Sequence, residues 1–82
     1  MNPDEKRVVL MLTCIDARAI VVSFEPEGAQ HTLEADDSFK VEIVGSGDAE
    51  PEVSYVPEGL MIGARAGART RVWNKAGAEL PT

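Results

Sequence analysis

A chain with one histidine and one cysteine has few ways to make or break a bond. An unperturbed imidazole titrates near ~6.5, so His31 is the side chain best suited to general-base work or pH sensing. It stands in the short alternating run His31-Thr32-Leu33, where a histidine is ordinarily a surface or half-buried strand residue. Cys14 ends an apolar run, a setting that packs a thiol away and leaves it inert. A Cys14–His31 nucleophile pair would require the fold to bring them together, and no spacing motif calls for it. Asp48, Glu50 and Glu52 alternate as calcium-binding carboxylates do, but Pro51 interrupts them and the EF-hand placement of glycine and bidentate acid is missing. Asp36-Asp37 reads as a turn. The expectation is no catalytic residue, no metal site and no cofactor, which points away from an enzyme.

Binding chemistry is better represented. Arg69 and Arg71 are two residues apart, so a strand puts both on one face, able to grip a carboxylate or phosphate together. Trp73 caps one end of the core or anchors a partner. Gly63 to Ala68 lacks the Gly-Lys-Ser/Thr ending of a phosphate loop and fits a bulged or closely packed strand. The expected contact residues are His31, Tyr55, Arg69, Arg71 and Trp73.

Turn signals set the framework that must position them. Asp16-Ala17-Arg18, Glu25-Pro26-Glu27-Gly28, Asp36-Asp37-Ser38, Gly45 to Pro51, Pro57-Glu58-Gly59 and Asn74-Lys75-Ala76-Gly77 punctuate the chain. They recur about every eight to twelve residues, the signature of an all-β sandwich or barrel. Between them lie apolar or alternating runs: Val8 to Leu12, Ile20 to Phe24, His31 to Leu33, Phe39 to Ile43, Val53 to Tyr55, Leu60 to Ile62, Thr70 to Trp73 and Ala78 to Leu80. Val8 to Leu12 is continuously apolar, as in a strand buried on both faces. Pro3 to Ile15 could open as a helix, but its β-rich apolar run argues for a strand. The prediction is a single all-β domain over 1–82, with six to seven short antiparallel strands. Its core is Val9, Met11, Ile20, Val22, Phe24, Leu33, Phe39, Val41, Ile43, Val53, Tyr55, Ile62 and Val72, with Trp73 at one end.

The segment from Asp37 through Gly59 resembles a cupin-like small barrel, with Pro57-Glu58-Gly59 where such proteins turn before a metal-binding histidine. Leu60, Met61, Ile62 and Gly63 follow here, so that histidine is missing, and His31 alone cannot supply the set. The resemblance concerns shape and implies a small-ligand-binding barrel without the metal.

Composition bounds the rest. The 82 residues carry a formal charge of −6, which opposes non-specific nucleic-acid binding, and 5% aromatic residues leave few stacking surfaces. The scaling rules allow roughly 4,800 Å² of folded surface against roughly 12,800 Å² unfolded, a thin core. The charge is uneven: residues 25–58 hold ten acids and one lysine, whereas residues 59–82 hold four cations and one acid. This polarity suits a protein partner or self-association, and no membrane or nucleic acid. The lone Cys14 favours a reducing compartment, hence the cytoplasm. Lys6-Arg7 followed by Val8 to Ile15 resembles a signal peptide, but Asp4 and Glu5 spoil its positive region. Met11-Leu12-Thr13-Cys14 resembles a lipoprotein cleavage site with an ill-fitting threonine. No stretch approaches the ~20 apolar residues of a membrane span. The expected function is a non-catalytic interaction module, homodimeric in one form of that reading; the alternative is the small-ligand barrel.

Overall fold

Each predicted run becomes a strand, and the pairing between runs decides which of its faces is buried. The computed structural model describes residues 5–46, 51–65 and 67–82. Its strands are β1 (Glu5–Thr13), β2 (Ile20–Glu25), β3 (Ala29–Leu33), β4 (Ser38–Ser46), β5 (Glu52–Val56), β6 (Gly59–Gly63), β7 (Arg69–Trp73) and β8 (Glu79–Leu80). They form two four-stranded sheets, ordered β1-β4-β7-β8 and β3-β2-β6-β5. The fold is an all-β sandwich whose two sheets pack face to face without closing into a barrel. The strands number eight, one more than the expected range, because β8 is a two-residue return on β7.

One pairing departs from the antiparallel expectation. β6 runs parallel to β2, with Val22 beside Leu60 and Phe24 beside Ile62. Between them the chain crosses to the other sheet as β4 and returns, the long connection that a parallel pair needs. Gly59 makes the pairing possible. Its φ is +152°, and a Cβ there would lie 2.3 Å from the Val21 carbonyl oxygen. The Glu58 carbonyl beside it accepts the Val21 N–H at 2.9 Å. Only glycine permits that approach.

The interior is filled by alternate residues of both sheets. Phe24, Leu33, Ile43, Ile62, Val22, Val41 and Val72 are each under 2% exposed. Each fully buried side chain of this kind contributes about 1.5–3 kcal/mol relative to exposure. Cys14 joins them at 3% exposure, its Sγ 3.3 Å from the Arg18 carbonyl. The Asp36–Ser38 turn is tied to the same point, since Asp36 N–H donates to the Cys14 carbonyl at 2.8 Å.

Four expected core residues lie outside. Val9 is 43% exposed and Met11 63% exposed. β1 is a sheet edge whose Val8, Leu10 and Leu12 pair with Ile43, Val41 and Phe39 and share their inward face. Val9 and Met11 therefore alternate outward beside Glu42 and Lys40, so β1 is covered on one face rather than two. Val53 is 50% and Tyr55 91% exposed. They pair with Ile62 and Leu60, on the core side of their sheet. β5 is its edge, and their exposure leaves them beyond the cover of the facing sheet. Trp73 is half-buried and also outward, because its neighbour Val72 takes the inward place.

Candidate functional site

The outer face of the β1-β4-β7-β8 sheet collects side chains that chain order keeps apart. Register sets Trp73 beside Lys40, Arg71 beside Glu42 and Met11 beside Lys40. The Lys40 ammonium lies 5.6 Å from the Trp73 ring centroid, and the Arg71 guanidinium carbon 4.8 Å from it. Both fall within cation–π range, worth about 0.5–1 kcal/mol each at an exposed site. Asn74 to Gly77 turn the chain next to this ring. Gly77 N–H donates to the Asn74 carbonyl at 3.0 Å, and Asn74 Oδ1 accepts the Ala78 N–H at 2.9 Å. That turn brings Lys75 to the rim. Met11, Ser38, Lys40, Trp73, Asn74, Lys75 and Gly77 line a depression of about 460 Å³.

Two ion pairs lie on this face among the described residues. Arg7 pairs with Glu42 across β1 and β4. Arg71 donates twice to Glu79, Nη2 at 2.7 Å and Nε at 3.1 Å. That hydrogen bonding, reinforced by the charge of Glu79, raises the Arg71 pKa, and bonding from Arg71 lowers that of the Glu79 carboxyl. Among the described residues the outward strand positions hold Arg7, Lys40, Arg69 and Arg71 against Glu5, Glu42 and Glu79, a net of +1, and Lys75 of the adjoining turn donates to the Asp36 carbonyl at 3.4 Å. The remaining four cations and eleven carboxylates of the chain sum to −7. A basic platform thus sits on an acidic protein.

The expected contact residues do not converge on one mouth. Arg69 and Arg71 share the outer face, as their spacing predicts, and Trp73 joins them there instead of capping the core. His31 is half-buried on β3, on the core side opposite Val22. Its ring lies 6.2 Å from that of Phe24 and 6.4 Å from that of Phe39. His31 Nε2 is 2.6 Å from the Pro81 carbonyl, which only accepts, so Nε2 carries the proton. His31 thereby ties the tail after β8 to the opposite sheet, a structural task. Tyr55 stands at the β5 edge, beside a separate recess with Ile20, Leu60 and Arg18.

Three residues of the platform lay outside the sequence expectation. Lys40 is readable as outward from the Phe39–Ile43 alternation, but nothing local sets it beside Trp73. Met11 hides in an unbroken apolar run, and Lys75 looks like ordinary turn polarity. Among the described residues no three of His, Cys, Asp or Glu stand close enough to share a metal ion. Asp48 and Glu50 lie outside the described residues, so the alternating acids of that loop are not placed. The sheets do not close, so the cupin-like barrel shape is not the one adopted. No helix among the described residues is long and apolar enough to cross a membrane. No family model matches this chain, and no curated protein or solved structure matches it.

Proposed function

We propose that this chain is a non-catalytic interaction module that presents the outer face of its β1-β4-β7-β8 sheet to an acidic protein segment. The observation that carries this reading is Trp73 flanked by Lys40 and Arg71 beside the exposed Met11. An aromatic ring with cations at its rim offers apolar contact and carboxylate recognition in one patch, the composition of an interface anchor. The net charge of +1 on this face, with Lys75 at its rim, selects acidic partners by attraction, while the acidic remainder of the chain repels them elsewhere. Trp73 is the sole tryptophan, so its fluorescence reports the site directly. The test is a titration with a glutamate-rich peptide carrying one leucine, followed by that emission. A saturable change that K40E/K75E abolishes is expected; an unchanged signal, or one that the double variant leaves intact, refutes the reading.

The depression beside Trp73 supports a second reading. At about 460 Å³ it is the size of a small-ligand site, with lysines at its rim. Saturable quenching by benzoate, with none by the peptide, would favour a small carboxylate as the occupant.

A further inference from the structure

β1 is the longest unpartnered edge of the sandwich. Among the described residues it pairs with β4 alone, through nine consecutive residue pairs from Glu5–Ser46 to Thr13–Ser38, with no bulge. Natural edges are blunted by shortness, proline, bulges or inward charge. β8 has two residues and β3 five, but β1 has nine and its last six are uncharged. Its backbone direction follows from its end. Cys14 N–H donates to the Asp37 carbonyl at 3.1 Å, on the β4 side. Alternation then turns Leu12, Leu10 and Val8 toward β4, and Thr13, Met11, Val9, Arg7 and Glu5 toward open solvent.

We infer that a second copy of this chain adds to β1, antiparallel, about a two-fold axis at Val9. Val9 is the midpoint of the strand, so this register overlaps all nine residues. It is also a residue whose backbone N–H and carbonyl face the edge. Val9 exchanges both bonds with its counterpart, Arg7 with Met11 and Glu5 with Thr13, a ladder of about ten hydrogen bonds. Charge permits it: Glu5, Lys6 and Arg7 fall opposite Thr13, Leu12 and Met11, and no like charges are opposed. Parallel in-register pairing would stack Lys6 on Lys6 and Arg7 on Arg7.

The same operation addresses the apolar overhang of the other sheet. A two-fold perpendicular to the first sheet keeps both second sheets in one layer, so β5 of each copy approaches the dimer axis. Val53 and Tyr55, exposed in one copy, gain cover there. The dimer also places two Trp73 platforms on one continuous face, five strand spacings across and four residues along the strands, about 28 Å apart.

This inference deepens the interaction-module reading by naming one partner, and it uses a different surface. Light scattering after size exclusion decides it. At 200 µM the wild-type chain is expected at twice 8.8 kDa. V9K opposes two like cations at the axis and should weaken the dimer at least about tenfold while circular dichroism stays native. V9E should do the same, and an equimolar mixture of the two should restore a dimer. A wild-type monomer, an unaffected V9K dimer, a V9K–V9E mixture that stays monomeric, or species that grow without limit each overturn it. K40E/K75E separates the two readings: it should leave the dimer intact and abolish peptide binding.

Discussion

The two long sides of this sandwich are closed by different means. On the β3–β8 side, short strands are stitched across the gap by the tail. His31 reaches the Pro81 carbonyl from one sheet, and Thr82 Oγ1 donates to the Thr70 carbonyl at 2.8 Å on the other. On the β1–β5 side the strands carry more apolar surface, and Val9, Met11, Val53 and Tyr55 stay exposed. An 82-residue domain has limited apolar surface to cover both sides. The difference teaches where stability is intrinsic and where a partner would supply it. One side is finished by the chain's own atoms; the other has the composition of an interior without its cover.

The strongest way to break this contrast is to remove the centre on which both sides hang. Gly59→Ala forces a Cβ against the Val21 carbonyl between β2 and β6. It should destabilise the fold by about 2–4 kcal/mol, read as a lower urea midpoint. A loss under 1 kcal/mol would mean that the parallel pair can shift and that neither side depends on it.

Next is a matched pair across the two sides. His31→Ala removes the bond to Pro81 and the packing on Phe24 and Phe39, and should cost about 1.5–3 kcal/mol. Tyr55→Ser, at 91% exposure, should stay within about 0.5 kcal/mol at concentrations below dimer formation. Equal losses by thermal unfolding of the dilute variants would erase the distinction between a stitched and an open side.

The smallest effect sharpens the stitched side alone. Bonding to Arg71 holds the Glu79 carboxyl below the ordinary carboxylate range. A carboxylate with a depressed folded-state pKa contributes stability above its unfolded value and loses it as pH falls through the folded one. Wild type should therefore slightly exceed Glu79→Gln in denaturation midpoint at pH 7, and the gap should close in the acid range. The pair is exposed and screened, so a gap that persists at acid pH would show that packing, not charge, separates the variants.

How much was legible follows from how local each signal is. Turn residues such as Asn74-Lys75-Ala76-Gly77 act within a few bonds and break the strands where they stand, whereas β4 runs on through Gly45 and Ser46, which were read as the start of a loop. Phe39 to Ile43 alternates cleanly and faced as read. The run Val8 to Leu12 has no period, so nothing in it distinguishes Val9 from Leu10; pairing with β4 does. For Tyr55 the face was right and the burial wrong, because edge position belongs to the sheet and not to the strand. Arg69 and Arg71 were legible as one face by their spacing, whereas Trp73 was read toward the core. Their companions Met11, Lys40 and Lys75 were not, since register between distant strands brings them in.

An all-β fold, most of its strand breaks, the amphipathic face of β4 and the common face of Arg69 and Arg71 were legible from residue type and spacing alone. Those depend on backbone preference and on the two-residue period of a strand. Only the tertiary structure decided which strands lie at edges, the parallel β2–β6 pair, the structural task of His31 and the cations around Trp73. Each of those depends on non-local pairing, whose register no single run of residues encodes. The charge of −6 is a sum of unlike parts: the chain order shows an acidic middle and a basic end, and strand pairing gathers cations from separate segments onto one sheet face.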